Sequence, residues 1–120
     1  MEQDNLTGVQ LIAAERLRQI TQEGWSPEHD REHVYDQLAY AAICYADPHK
    51  RMVKIPEGVE EKKWPTVVQN GVEYAIMPPS LWPWGNEEWK PTPDDRVREL
   101  TKAGALIAAE IDRLLNTGEA

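Results

Sequence analysis

The sequence predicts a mainly α domain, a three-helix bundle with a β-hairpin and a Trp/Pro-rich loop inserted between the second and third helices. Three observations carry that prediction. Apolar residues recur at steps of three and four in three separate segments, an Asn70-Gly71 pair stands between two short β-prone runs, and residues 48–91 hold seven of the nine prolines and four of the five tryptophans. With 120 residues the chain has the length of one domain, spanning 1–120. A chain of this size removes roughly two-thirds of its unfolded surface from water, enough for a core without disulfides or a structural metal.

The first helix is expected at about residues 8–23, where Val9, Ile12, Ala13, Leu17 and Ile20 mark one buried face and Gly24 stands as the C′ residue. The second is expected at about 27–46. Ser26 serves as N-cap, Pro27 as N1 and Glu28 as an acid in the first turn, with Val34, Leu38, Ala41, Ala42 and Tyr45 on one side and an end near Asp47-Pro48. The third is expected at about 93–116, opening at Thr92 with Pro93 at N1 and Asp94 and Asp95 beside the positive end of the dipole. It sets Val97, Leu100, Gly104, Ile107, Ile111 and Leu114 on strict steps of three and four, a seam expected to pack against the other two helices. Such a helix is roughly 35 Å long at about 1.5 Å per residue. Gly104 in its interior costs about 1 kcal/mol of helix propensity, so another backbone or a ligand is expected to approach it closely.

Within the insertion, Trp64–Val68 and Val72–Met77 flank Asn70-Gly71, the signal for a two-residue type I′ hairpin spanning about 64–77. Pro65, Pro78 and Pro79 limit it to a short ribbon that must lie on the helices to be stable. Leu81-Trp82-Pro83-Trp84 and Trp89-Lys90-Pro91 return the chain to the third helix. Because the chain has no Phe, these tryptophans supply much of its aromatic bulk.

Composition narrows the function classes. Hydrophobic residues make up 41% and charged residues 28%, ordinary for a globular protein. A net charge of −8 without clustered basic groups argues against a nucleic-acid polymer as partner. The single cysteine, Cys44, excludes an intramolecular disulfide framework and reads as a buried structural thiol. There is no apolar run near 18 residues and no signal-peptide pattern in MEQDNLTG, so no membrane association and a cytoplasmic location are expected. No Ser/His/Asp or Cys/His constellation, phosphate-binding Gly loop or zinc-finger spacing is present.

Three clusters carry candidate chemistry. Glu15, Arg18, Gln19 and Gln22 share the polar side of the first helix, with Arg16, Gln19 and Glu23 along its flank; this is either a solvated face with local ion pairs or a cluster aimed between helices, where Arg clamps phosphate or carboxylate. His29-Asp30-Arg31-Glu32-His33 places two imidazoles at i and i+4, with Asp36 a turn along, so Glu23, His29, Asp30, His33 and Asp36 are the metal candidates. Asp30 stands where a zinc-protease HExxH motif has its Glu, and a capped, exposed first turn is the plain alternative. Carboxylates holding magnesium would come from Glu15, Glu23, Asp30, Asp36, Glu110 and Asp112, of which Glu110 lies in the apolar half of the last helix, with Lys102 two turns earlier. Trp82, Trp84 and Trp89 form either a stacking wall for a flat ligand or a staple of the Pro-rich loop onto the helices.

The combination Glu15-Arg16-x-Arg18-Gln19, Glu23-Gly24-Trp25-x-x-Glu28-His29-Asp30, Trp82-Pro83-Trp84 with Trp89-Lys90-Pro91, and Lys102-Ala103-Gly104-Ala105-Leu106-Ile107-x-Ala109-Glu110-Ile111 resembles a family of small helical proteins of phages, prophages and bacteria that has no assigned activity. The resemblance covers most of residues 9–115. In those relatives a Gly-Glu pair commonly precedes Leu-Ala in the second helix, where this chain has Asp36-Gln37 before Leu38-Ala39. The helices with scattered acids are also similar to MazG-like all-α nucleotide pyrophosphohydrolases, which hold magnesium with an ExxE pair and a later ExxD; here the nearest pairs are Glu57-x-x-Glu60, in the insertion, and Glu110-x-Asp112. Gly24-Trp25, Pro83-Trp84 and Asp95-Arg96 resemble the RyR repeat, a helical interaction module.

Together these readings predict a pocket for a small anionic ligand, a nucleotide above all, lined from Glu15, Arg16, Arg18, Gln19, Trp25, Trp82, Trp84, Trp89, Lys102 and Glu110. An enzymatic version would be a metal-dependent nucleotide pyrophosphohydrolase using Mg2+ or Mn2+. The alternative is a non-catalytic interaction module of a phage or mobile element that binds a host protein through the Trp-rich loop. An exposed side of the third helix would suit a homodimer.

Overall fold

A computed structural model of the chain describes residues 5–22, 36–60 and 64–117. The elements are α1 (Gly8–Gln22), α2 (Gln37–Ala46), β1 (Met52–Lys54), β2 (Thr66–Gln69), β3 (Val72–Ile76), a 3-10 turn at Asn86–Glu88 and α3 (Arg96–Thr117). The expected mainly α class is corrected: among the described residues three helices accompany a three-stranded antiparallel sheet of order β1-β3-β2, and the fold is mixed α/β. Nor do the three described helices form a three-way bundle. Helix α3 is the shared support, packing against α1 on one side and α2 on the other.

The hairpin forms where its turn chemistry requires. Asn70 and Gly71 both take positive φ (52° and 77°), as a type I′ turn demands, and β2 pairs with β3 in the register Val67↔Tyr74 and Gln69↔Val72. The third strand, β1, was not expected. Its residues Met52, Val53 and Lys54 are all exposed and show no alternation, so nothing in their sequence marks a strand; pairing with β3 (Val53↔Ala75) makes one.

Helix α1 opens with a reciprocal cap in which Gln10 Oε1 accepts the Thr7 N–H at 2.8 Å and Thr7 Oγ1 accepts the Gln10 N–H at 3.3 Å. Helix α3 begins three residues later than expected. Thr92, Pro93, Asp94 and Asp95 form a turn closed by the Asp95 N–H to the Thr92 carbonyl (2.9 Å), and Asp95 Oδ1 then accepts the Arg98 N–H (3.0 Å) as the helix cap. Proline suits the second position of a turn as well as the first of a helix, so Pro93 alone did not discriminate. The carbonyls at the end of α2 receive cations from elsewhere: Lys50 Nζ donates to the Tyr45 and Asp47 carbonyls (2.9 and 2.6 Å), and Arg96 donates to those of Tyr45 and Ala46. Glu99, itself buried, balances both, at 3.4 Å from Lys50 and 3.6 Å from Arg96.

The core lies between α2, the sheet and one face of α3, where Leu38, Cys44, Tyr45, Ile76, Trp89 and Leu106 meet. Ala41 and Ala42 face Ala103 and Ala109 in the same cluster, and small side chains on both helices let the axes approach. This overturns the expected burial of the α3 seam. Val97, Leu100, Ile107 and Ile111 are between 47% and 61% exposed, while the alanine-rich face is buried together with Glu99, Glu110 and Arg113. Helix α1 is likewise turned over: Val9 and Leu17 are exposed, and its buried residues are Glu15, Arg16 and Gln19. The expected close approach at Gly104 is present, with Ile12 of α1 seated where a Cβ would stand, 2.5 Å from Ile12 Cδ1.

Candidate functional site

The inward polar face of α1 is explained by what it meets. Glu15 is 3% exposed, and its carboxylate accepts Arg18 Nε and a terminal Arg18 nitrogen at 2.8 Å each, Gln19 Nε2 at 3.2 Å, and Arg98 of α3 at 2.6 Å. Burial by itself would raise the Glu15 pKa. The hydrogen bonds and positive charges of Arg18 and Arg98 outweigh it and hold the carboxyl below its ordinary value of 4.5. The result is one ionised carboxylate that fixes the position of two guanidiniums from different helices.

Beside them is a cleft of about 490 Å³ lined by Glu15, Arg18, Gln19, Tyr45, Glu88, Lys90, Arg98, Lys102 and Leu106. Its loop wall is pinned from two sides: Tyr45 Oη accepts the Lys90 N–H at 3.0 Å, and Lys102 Nζ donates to the Lys90 carbonyl at 2.6 Å. The Lys102 ammonium also stands 5.4 Å from the centre of the Tyr45 ring, a cation–π contact. Burial lowers the Lys102 pKa from 10.5, and the neighbouring Arg98 charge lowers it further, against a smaller opposing effect of Glu15. Four cations line the cleft against two carboxylates, in a chain whose net charge is −8. Gln19 is buried, and its Oε1 has no hydrogen-bond partner in the structure. A buried acceptor left unmade costs about 1–3 kcal/mol.

Of the residues expected to converge, Glu15, Arg18, Gln19 and Lys102 do so. Arg16 and Glu110 do not line this cleft: Arg16 reaches Asp112 at 3.5 Å across the α1–α3 contact, and Glu110 accepts Arg113 Nε at 2.6 Å within α3. Trp89 is a core residue, with Nε1 donating to the Ile76 carbonyl (3.1 Å) and its ring stacked on Tyr45 at 5.1 Å. Trp82 packs edge-on against Tyr45, Trp84 and Trp89, and Trp84 Nε1 donates to Gln37 Oε1 at 3.5 Å. These rings staple the loop to α2. Trp25, Glu23, His29, Asp30 and His33 lie outside the described residues, and Asp36 is an exposed residue of positive φ at the start of α2.

Arg98, Lys90, Glu88 and Tyr45 of the cleft were not singled out from sequence. For Arg98 a signal existed, since it stands four residues before Lys102 and therefore on the same face of α3. Among the described residues no group of three or more His, Cys, Asp or Glu side chains could hold a metal ion. The buried acids are instead countered by cations: Glu15 by Arg18 and Arg98, Glu99 by Lys50 and Arg96, Glu110 by Arg113. Among the described residues no helix is long and apolar enough to cross a membrane. Compared with family models, with curated proteins and with solved structures, the chain finds no significant match in any of the three.

Proposed function

We propose that the protein binds a small anionic ligand, a nucleotide foremost, in the cleft between α1, α3 and the loop at residues 88–90. The observation that carries this reading is that Arg18, Arg98 and Lys102 line one cleft in a chain of net charge −8. The arginines suit phosphate, which they contact through planar pairs of N–H donors. Glu15 holds both guanidiniums in place before any ligand arrives, so less side-chain freedom is lost on binding. The inward packing of Trp82, Trp84 and Trp89 supports this reading over docking of a host protein through those rings. A cytoplasmic setting goes with it, since nucleotides are abundant there and Cys44 is a buried free thiol.

The proposal is one of binding. The test is a thermal-shift series with nucleoside mono-, di- and triphosphates, each with and without Mg2+ or Mn2+, because a ligand present at 100 times its Kd stabilises the folded state by about 2.7 kcal/mol. A shift with nucleotide alone is expected, and Arg98→Ala and Lys102→Ala should each weaken it by at least about 10-fold in affinity. Affinity should also fall as the pH rises through the lowered Lys102 pKa, where the ammonium loses its charge, and Lys102→Arg should remove that decline. A shift that requires both nucleotide and metal would direct the next assay to pyrophosphate release. No shift across the series would overturn the proposal.

A further inference from the structure

Helix α1 is inverted for a helix at the surface of a single chain. Its charged residues Glu15 and Arg16 are buried and Arg18 is half-buried, and no exposed residue of α1 carries a charge. Its solvent-facing residues are uncharged, and they include Val9, 79% exposed, and Leu17, 61% exposed, beside Gln10, Thr21 and Gln22. Helix α3 repeats the pattern. Its best-formed apolar stripe, of which Leu100, Ile107 and Ile111 are half-exposed and Leu115 is 64% exposed, faces away from the core.

The two stripes form one surface. At about 100° per residue, Val9 and Leu17 lie on the flank of α1 next to Ile12 and Arg16, away from Glu15. Ile12 meets α3 at Gly104, within the stripe, whereas Glu15 meets it at Arg98, on the far side. The apolar flank of α1 therefore continues the apolar stripe of α3, and the cleft opens on the other side of the pair.

The geometry points to a second copy of this chain as the occupant, docked face to face so that α1 and α3 of each copy build a four-helix interface. Three features select that occupant. The stripe on α3 keeps alternating steps of three and four over more than two heptads, the repeat by which a helix packs along a like helix at a shallow angle. The stripe itself carries no charged side chain and is bordered by the balanced Arg16–Asp112 ion pair, on a molecule of net charge −8, so a basic partner gains little there, whereas an apolar surface is complementary to itself under two-fold symmetry. Its extent is also adequate: with 15 and 22 residues at about 1.5 Å each and about 10 Å of width per helix, the two helices offer on the order of 550 Å² of footprint per copy, near the lower end of specific interfaces.

Sedimentation analysis of the full chain tests this directly. A species of twice the chain mass is expected, and it should tighten as salt is added, because screening relieves repulsion between two acidic copies. Charges placed in the centre of the face by Ile107→Glu with Ile111→Glu should weaken association by at least about 100-fold while the helical circular dichroism is retained. Should that variant lose its fold, Ile107→Cys decides, since Cys44 is buried and the new thiol would be the accessible one. Oxidation is expected to give a covalent dimer. A wild-type chain that stays monomeric at every concentration and salt would overturn the inference, leaving another partner or another part of the chain to cover the face. So would a dimer indifferent to both glutamates, or an Ile107→Cys variant that stays monomeric on oxidation.

Discussion

The two contacts that α3 makes are held by opposite means. Toward α2 and the sheet it offers Ala103, Leu106 and Ala109 to an apolar cluster around Trp89 and Tyr45, whereas toward α1 it offers Arg98 and Asp112 to Glu15 and Arg16, with one tight hydrocarbon contact at Gly104. The first contact follows the ordinary rule that apolar area removed from water stabilises. The second depends on charge, and the cleft is built there because buried ionic groups are already positioned for a polar ligand. The difference teaches that fold and site draw on separate faces of one helix, so each is open to separate perturbation.

Trp89→Ala should have the largest effect. Trp89 is 1% exposed, stacks on Tyr45, contacts Trp82 edge-on at 5.0 Å and satisfies the Ile76 carbonyl, so its removal leaves a cavity and an orphaned acceptor. A loss of about 3–5 kcal/mol is expected, read by denaturant unfolding, with collapse of the near-ultraviolet dichroism. A loss below about 1 kcal/mol would mean that the aromatic cluster does not hold the loop to α2.

Glu15→Gln breaks the other contact. It leaves Arg18 and Arg98 facing each other without their counter-ion, and because their side chains are about one-third exposed, the expected cost is about 2–3 kcal/mol, less than for a fully buried pair. The same carboxylate sets an acid limb. Its folded pKa lies below the unfolded value near 4.5, so its contribution is complete above that value and is lost as the pH falls from there through the lower folded pKa. Stability of the wild type should therefore fall with acidification in this window more steeply than that of Glu15→Gln, while Trp89→Ala should keep the wild-type slope. Equal slopes in wild type and Glu15→Gln would refute the role given to this ion pair.

Local signals were legible in the sequence where chemistry and structure coincide within a few residues. Asn70-Gly71 specifies the hairpin, and Leu38, Ala41, Ala42 and Tyr45 mark the buried side of α2. The Thr7-x-x-Gln10 capping box is an equally local signal. Long-range partners were not legible: β1 exists only because β3 accepts it, and the cleft assembles side chains from α1, α2, the loop and α3. Reading Ile107 and Ile111 as core failed for a specific reason. Periodicity identifies the apolar stripe of a helix, but the cover for that stripe need not come from the same chain, and alanines bury well while weighing little in a hydrophobic pattern.

The smallest expected effect is also the finest probe of how α1 sits on α3. In a bare helix, Gly104→Ala stabilises by about 1 kcal/mol, because alanine loses less backbone freedom than glycine. Here the new methyl would stand 2.5 Å from Ile12 Cδ1 and 2.7 Å from Cγ1, and overpacking of this kind costs about 1–3 kcal/mol. The two effects oppose, and a net loss of about 1 kcal/mol is expected, since moving Cδ1 alone does not relieve the Cγ1 contact. Ile12→Ala removes both atoms. In that background Gly104→Ala should regain its intrinsic benefit, so the double-mutant cycle should show a coupling of about 2 kcal/mol between two residues 92 positions apart. If Gly104→Ala were stabilising with Ile12 in place, α1 would not be seated at this point, and both the Glu15–Arg98 alignment and the joined apolar face would need another geometry.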